Sequence, residues 1–391
     1  MPVPRITTSD DPALGELTAS LKQLAPSLEE LGAWPAEQLK LCGEAGVFKW
    51  FIEPHQGGQG WSEADILRGY VQLAAACLTT TFVMTQRVGA MTRIAAGASG
   101  EAREELLPDL LSGRSFATVG IYHLTTSRQH LAKSVLRAEE TSTGFRLDGY
   151  SPWVTGGEFA QHIVLGAALD DCRQILIAMP TDLPGVRVER SPQLVGLSSS
   201  RTGPVHCDAV NVPHKYLLAG PVHEVMKLGL GGKTGGLQTS ALAIGLASAA
   251  IQFIQDQAES RNELLEPADA LAAEREELLS ALLALASGSG VVCESRSPHE
   301  ESQPQSTPDP FLVPSRETVV PGRASANELR QRANSLALRA TQAALAAAKG
   351  AGYCLGHPAG RWCREALFFL VWSCPQPVLQ ANLCELAGIA N

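Results

Sequence analysis

The sequence has few charged residues, few aromatic residues and no excess of positive charge. Of the 391 residues, 18% are charged and 5% are aromatic, and the formal net charge is −9. A nucleic-acid-binding protein needs clustered Lys and Arg against the phosphates, so this composition argues against nucleic acid as a partner. Hydrophobic residues make up 45% of the chain, which is typical of a soluble globular protein, and the length predicts two or three domains.

Several signatures of common sites are also missing. None of the nine cysteines forms a CxxC pair and their number is odd, so we expect reduced cytosolic thiols rather than a metal site or a disulfide framework. Residues 1–17 contain acidic residues and no apolar core, so they do not form a signal peptide, and a cytoplasmic location is expected. No GxGxxG follows a predicted strand and no GxxxxGK[ST] occurs, which disfavours a Rossmann unit and a P-loop.

The hydrophobic pattern divides the chain into three regions and predicts an α+β multidomain fold. Residues 1–114 carry apolar residues three and four apart, which predicts a helical domain in which Ser62 caps one helix and Gly113 ends another. Residues 115–225 form short segments rich in Val, Ile and Phe between Gly, Asp and Pro, which predicts an antiparallel β-barrel or sandwich.

Residues 226–391 return to a helical pattern. Their long Ala-rich segments predict a four-helix bundle, in which Ser325 caps the third long helix. The stretch at about 287–323 is rich in Ser, Pro and Glu, and we predict a mobile loop there because it has too little apolar surface to order itself. The longest apolar stretch, around 241–255, contains Gly, Ser and Gln and runs into charged residues, so we expect a buried helix and no membrane span.

One short stretch of the β region, residues 149–157, reads GYSPWVTGG. Trp153 and Thr155 are two positions apart, so in an extended segment they face the same way. The chain has only 6 Trp, and this one stands between glycines at the end of an alternating run. Its indole either fills a core or offers a flat platform to a planar ligand.

Four segments in order suggest a family. They read EPHQGGQGWSEAD, GFRLDGYSPWVTGGEFAQHIVLGA, VGLSSSRTGPVHCDAVNVPHKYLLAG and KGAGYCLGHPAGRWCREA. Together they resemble the acyl-CoA dehydrogenase family of flavoproteins, and the resemblance extends from about residue 20 to the end. It implies FAD as the cofactor and a fold of N-terminal helices, a central β domain and a C-terminal helical bundle.

The resemblance also implies roles for individual residues. Trp153 would pack against the flavin ring, Thr155 would hydrogen-bond near its reactive nitrogen, and Tyr122 falls where a family hydroxyl contacts the ring. Arg261 keeps the arginine that reaches the cofactor of a neighbouring subunit, or else it simply ends a helix. Gly350 and Gly352 would also contact the cofactor, since they keep two glycines of the family's G-G-x-G.

The chain departs from the family at the catalytic base. The family's glutamate, in a Glu-Gly-Thr after R-D-A, aligns with Ser373, and the alternative position in the helix near residue 235 has no carboxylate either. A serine hydroxyl is too weak a base unaided. His123, which replaces a glutamate near the flavin, is the best local acid–base candidate, or else a structural histidine. Arg128 either binds a CoA phosphate or is a solvated loop charge.

Three functions follow from this resemblance. The first is an FAD-dependent oxidoreductase acting on an acyl thioester of CoA or a carrier protein, or on a related small molecule. The second is a flavin-dependent monooxygenase of the same fold, in which His123 and Ser373 contact the substrate or the flavin peroxide. The third is a catalytically inactive partner subunit or acyl-thioester binder. In each case we expect a homodimer or homotetramer, because members of the family usually form dimers or tetramers.

Overall fold

The computed structural model describes residues 5–125, 135–230, 236–288, 325–372 and 374–389. The predicted mobile loop at about 287–323 lies almost entirely outside the described residues. The described part forms N-terminal helices, a central sheet and C-terminal helices, and this order confirms the predicted fold class.

The N-terminal part is helical, as predicted. Its helices are α1 (Pro12–Leu24), α2 (Ala36–Glu44), α3 (Glu63–Ala76), α4 (Leu78–Ala96) and α5 (Gly100–Ser112). Ser62 caps α3, because its Oγ accepts a hydrogen bond from the Asp65 amide at 3.1 Å. Gly113 ends α5 in the left-handed conformation, with φ +80°. Both ends are set by local chemistry, so both were predicted correctly.

Among its described residues, the central part contains eight strands and one short α-helical turn, besides a few 3-10 turns. The strands are β1 (Ala117–Gly120), β2 (Leu136–Glu140), β3 (Gly144–Thr155), β4 (His162–Ala168), β5 (Gln174–Pro180), β6 (Val186–Val188), β7 (Thr202–Pro213) and β8 (Leu217–Val222). The helical turn α6 (Tyr122–Thr125) follows β1 directly.

The sheet is mixed, so the prediction of a purely antiparallel arrangement is wrong. It is also open, so the predicted barrel does not close. The strand order is β6-β7-β3-β2-β4-β5-β8, with β1 pairing on β4, so the described sheet has free edges at β6 and β8. Both β1 and β2 run parallel to β4. The composition of a strand does not reveal its partner, and β4 pairs with β1 and β2 instead of with β3, which precedes it in the chain.

The C-terminal part is a helical bundle. Its helices are α7 (Leu237–Ala258), α8 (Leu265–Ala286), α9 (Ala326–Gly352), α10 (Pro358–Ala366) and α11 (Gln376–Leu386). The three long helices α7, α8 and α9 pack on one another, α10 packs on both α7 and α9, and α11 packs on α9. Ser325 caps α9 as predicted, with its Oγ accepting from the Glu328 amide at 3.1 Å.

Helix α7 lies at the centre of the protein. By length and composition it is long and apolar enough to cross a membrane, but 67% of its most apolar window is buried inside the protein. It packs against α3 as well as α8, α9 and α10, so it joins the N-terminal helices to the C-terminal bundle. This is how the core helix of a folded domain behaves.

The crossing of α7 and α3 predicts a position that tolerates no side chain. A Cβ on Gly245 would lie 2.5 Å from the Val71 carbonyl oxygen and 2.7 Å from the Ala74 Cβ. We expect Gly245→Val to destabilise the fold by about 3 kcal/mol or more, because the helices must separate. Chemical denaturation measures this. Gly15→Ala in α1 is the control, since nothing lies within 4 Å of that position, and it should stabilise by up to about 1 kcal/mol. A Gly245→Val variant as stable as the wild type would contradict the close crossing.

Candidate active site

Trp153 lies on a bulge of β3. Ser151 pairs with Val205 and Val154 pairs with Gly203, so three steps along β3 face two along β7. Pro152, which has no N–H to donate to a ladder, occupies the irregular stretch, where a proline is tolerated. The indole of Trp153 is 49% exposed, while Val154 and Thr155 beside it are buried. The ring is therefore not a core residue, and one of its surfaces is open to a ligand.

Thr155 belongs to a row of three buried hydroxyls. Its Oγ1 lies 2.9 Å from Thr202 Oγ1, which in turn lies 2.8 Å from Ser200 Oγ. Three hydroxyls carry three protons, and two contacts use two of them, so one hydroxyl of the row keeps a proton to donate. Gly156, with φ +64°, follows directly, and its Cβ would lie 2.4 Å from the Trp34 ring. A glycine is therefore required where the chain turns away from the site.

Tyr122 provides a second exposed aromatic ring close to this strand. It is the first residue of α6, its side chain is 50% exposed, and α6 packs beside β3 and β4. Leu124 anchors the turn, since its side chain packs on Gly166 of β4, where a Cβ would come within 2.3 Å of it. The side chain of His123 and the whole of Arg128 lie outside the described part of the chain, so their roles stay predictions.

The other proposed cofactor residues lie in the C-terminal part of the chain. Arg261, between α7 and α8, donates from Nη1 to the Ala347 carbonyl of α9 at 2.6 Å and from Nε to Glu263 at 3.1 Å. A cation at the end of a helix complements its dipole, and these contacts hold Arg261 where α7 ends, while its contact with the cofactor of a neighbouring subunit stays a prediction. Gly350 and Gly352 end α9 just after a kink at Lys349, whose φ is +54°, and a Cβ on Gly350 would meet nothing within 4 Å. The candidates thus form two groups, one on the sheet and one where α7 and α9 end.

The segment before position 373 is held by α9. Ser373 itself lies outside the described residues. Arg330 is 5% exposed and donates to the Trp372 carbonyl at 2.8 Å and to the Asn334 side chain at 3.0 Å. Asn334 in turn donates to the Phe369 carbonyl at 3.1 Å. Burial lowers the pKa of Arg330 to about 10, and this buried cation is stabilised by oxygen dipoles.

Phe368 and Trp372 of the same segment form an aromatic cluster with Phe82 of α4. Phe82 of α4 meets Phe368 at 4.7 Å and Trp372 at 5.1 Å edge to face, and the last two rings stack at 5.0 Å. Phe368 and Trp372 are only partly buried. An apolar, partly open wall therefore stands next to position 373.

Glu365 is a buried carboxyl group at the junction of α10 and α4. It is 4% exposed, and Thr79 Oγ1 donates to it at 3.1 Å. Within the described residues no cation lies within ion-pair distance of it, although Arg361 and Arg364 are on the same helix. Burial, which disfavours the charged form, raises the pKa of Glu365 to about 7.

The comparisons with known proteins agree with this architecture. The family model described as acyl-CoA dehydrogenase, N-terminal domain, matches residues 17–114. A probable acyl-CoA dehydrogenase of Bacillus subtilis, YngJ, is 23% identical over 63% of this chain and 67% of its own length. The bovine (Bos taurus) mitochondrial short-chain specific acyl-CoA dehydrogenase is 24% identical over 68% of this chain and 65% of its own length. A glutaryl-CoA dehydrogenase of Mycobacterium smegmatis, solved in complex with FADH2, superposes with a TM-score of 0.75 at 18% identity, covering 98% of this chain and 96% of that one.

Residues 17–114 of this chain therefore match the N-terminal domain of acyl-CoA dehydrogenases, and the described chain has the acyl-CoA dehydrogenase fold. The predicted resemblance is confirmed, and it is a distant one, since the identities just given are below 25%.

Three features near the site were not predicted from the sequence. Glu365 gives no local signal, because its burial depends on α4, which is distant in sequence. The pair Arg330 and Asn334 has helical spacing in the sequence, but nothing there shows that it faces backbone carbonyls 42 and 35 residues further on, respectively. The aromatic cluster gave one usable signal, the apolar run LFFLVW that ends at position 372.

The raised pKa of Glu365 predicts how stability depends on pH. The folded state holds the proton of the Glu365 carboxyl more tightly than the unfolded state does. The contribution of this group to the unfolding free energy is therefore full below about pH 4.5 and is lost as pH rises through about 7. We expect Glu365→Gln to remove this loss, so that from pH 5 to pH 8 its unfolding free energy falls less than that of the wild type, by on the order of 2–3 kcal/mol.

Urea denaturation at pH 5, 6, 7 and 8 measures the difference. The matched control is Glu277→Gln, which removes an exposed carboxylate paired with Arg332 and should leave the pH dependence in this range unchanged. Parallel wild-type and Glu365→Gln curves would show that Glu365 ionises normally in the fold.

Proposed function

We propose that the chain is an FAD-dependent oxidoreductase that acts on an acyl thioester, carried by CoA or by a carrier protein. The observation that carries this proposal is the half-exposed indole of Trp153 on the bulge of β3. An aromatic face held open to solvent by a proline-containing bulge suits a planar ring system such as isoalloxazine. The resemblance to the family, and the FADH2 in the solved glutaryl-CoA dehydrogenase, support the choice of cofactor.

The residues around Trp153 fit a flavin chemically. The hydroxyl row ends at Thr155, in the strand that carries Trp153, and so offers a donor to a ring nitrogen. Tyr122 adds a second open aromatic side chain on the neighbouring turn. When bound, FAD would supply the acceptor for a hydride.

The acyl group would lie against the aromatic cluster of Phe82, Phe368 and Trp372. These rings give an apolar surface beside position 373. The hydrogen bonds from Arg330 and Asn334 to the carbonyls of Trp372 and Phe369 fix the backbone that carries two of the rings. An apolar wall binds an acyl chain and keeps water from it. With serine at position 373, the proton carried by the substrate would pass to another group, and His123 is our candidate.

We also propose that the chain works as a cytoplasmic homodimer or homotetramer. Large apolar side chains of the C-terminal part are exposed, among them Tyr353, Leu355 and Val371. Exposed apolar side chains on these helices are what an interface with another subunit would cover.

A second candidate function rests on the serine at position 373. Without the usual glutamate, the chain would bind a flavin or an acyl thioester but not abstract the α-proton, as an inactive partner subunit or binder.

Monooxygenation by the same fold also needs no such base, and oxygen would then accept electrons from the reduced cofactor.

The visible spectrum of the purified protein, followed by anaerobic addition of acyl-CoA, tests these alternatives. Flavin absorbance that bleaches with acyl-CoA supports the oxidoreductase. Flavin absorbance without bleaching, but with oxygen-dependent hydroxylation of a substrate after chemical reduction, supports the monooxygenase. A protein that binds acyl-CoA and stays colourless after incubation with FAD supports the binder and overturns the main proposal.

Trp153→Ala is expected to weaken FAD binding by about tenfold or more, because the ring loses its stacking partner. Titration of the apoprotein with FAD, followed by flavin fluorescence, measures the affinity. Tyr150→Ala is the matched control, since Tyr150 is an exposed aromatic of the same strand that stacks on His206 instead. Equal affinities for the Trp153→Ala variant and the wild type would remove the indole from the cofactor site.

A further inference from the structure

A small polar cavity lies between the turn at residues 31–32 and the loop that leads into β7. Its volume is about 130 Å³, which is room for several water molecules. The polar part of its lining consists of Arg190, Ser191, Gln193, Ser198 and Arg201, with Gly32 opposite. None of these residues was assigned a role from the sequence, and none belongs to the site described above.

Arg201 is fixed in position at this cavity. Its side chain is only 13% exposed and its Nη2 pairs with Glu158 at 2.5 Å. Its backbone is left-handed, with φ +50°, a conformation that costs a non-glycine residue about 1–3 kcal/mol. Nη1 lies 3.8 Å from the place a Cβ on Gly32 would take, so the guanidinium reaches the opposite wall of the cavity. Its Nε is buried and has no hydrogen-bond partner among the described residues.

The charges around the cavity do not balance. Glu158 is already engaged by Arg201 and by Ser191, whose amide and hydroxyl donate to it at 3.1 and 3.0 Å. Ser198 Oγ is also engaged, since it donates to the Leu194 carbonyl and accepts from the Leu194 amide. Arg190 stands exposed on the rim. Two arginines therefore line this cavity, and Glu158, the carboxylate that pairs with Arg201, is already hydrogen-bonded.

We propose that this cavity binds a small oxyanion group, the phosphate or carboxylate of a small ligand. Guanidinium forks match the oxygens of both groups, and the geometry is already built because Glu158 and the strained backbone hold Arg201 in place. Arg190 closes on the anion from the rim. The proposal is independent of the flavin and of the function proposed above, because it uses neither Trp153 nor the segment near position 373.

Calorimetric titration of the full chain with inorganic phosphate, at constant ionic strength, tests this site. We expect saturable binding at one site, weakened about tenfold in Arg190→Gln, since a charge-assisted contact is lost. Arg187→Gln is the matched control, because Arg187 is an exposed arginine of the adjacent strand that pairs with Glu189 and does not line the cavity. Its affinity should equal that of the wild type.

Parallel titrations distinguish the sources of the anion. Tighter binding of a phosphomonoester than of phosphate points to an organic phosphate, whereas tighter binding of succinate points to a carboxylate. Arg201→Gln, checked for folding by circular dichroism, should lose binding altogether. No saturable heat with any of these anions, or equal weakening by Arg190→Gln and Arg187→Gln, would overturn the proposal.

Discussion

The contacts that α10 makes with the other two parts of the chain hold the candidate site together. Arg364 pairs with Glu29 of the N-terminal part at 2.6 Å, and Thr79 of α4 donates to Glu365. A Cβ on Gly196 would lie 2.6 Å from the Arg364 carbonyl, so the loop before β7 lies directly on the same helix. That loop leads through Ser200 to Thr202, which contacts Thr155. The position of α10 therefore determines both the sheet side and the C-terminal side of the site.

Buried cations at these junctions are stabilised by backbone carbonyls. Arg87 of α4 donates to the carbonyls of Leu110 and Ser115 and lies 4.0 Å from the Phe48 ring, so it ties the end of α5 to the chain that enters β1. Arg330 does the same for the turn before position 373. Carbonyls at helix ends have no partner within the helix, and a guanidinium with several donors satisfies them without a carboxylate. Breaking such a contact leaves a buried charge, which makes these junctions rigid.

Local chemistry could be predicted from the sequence, and contacts between distant segments could not. Ser62, Ser325 and Gly113 act within one helical turn of their own positions, so their roles follow from the neighbouring residues. Trp153 was found because a glycine-flanked motif surrounds it. The parallel pairing of β1 with β4 brings together Ala117 and His162, which are 45 positions apart. The cavity at Arg201 brings together Gly32 and Arg201, which are 169 positions apart. No periodicity within a single segment contains that information.

The two halves of the site differ in how much sequence change they tolerate. A surface for a planar ring depends on backbone shape, here the bulge at Pro152 and the turn at Gly156, together with one aromatic side chain. Many sequences can keep that shape, so such a surface tolerates sequence change in the rest of the chain. A catalytic base depends on one carboxylate at one position, so a single substitution, such as the serine that the resemblance predicts at position 373, would remove it. A change at the base therefore alters the reaction without altering a surface for a planar ring, so the fold alone does not identify the reaction.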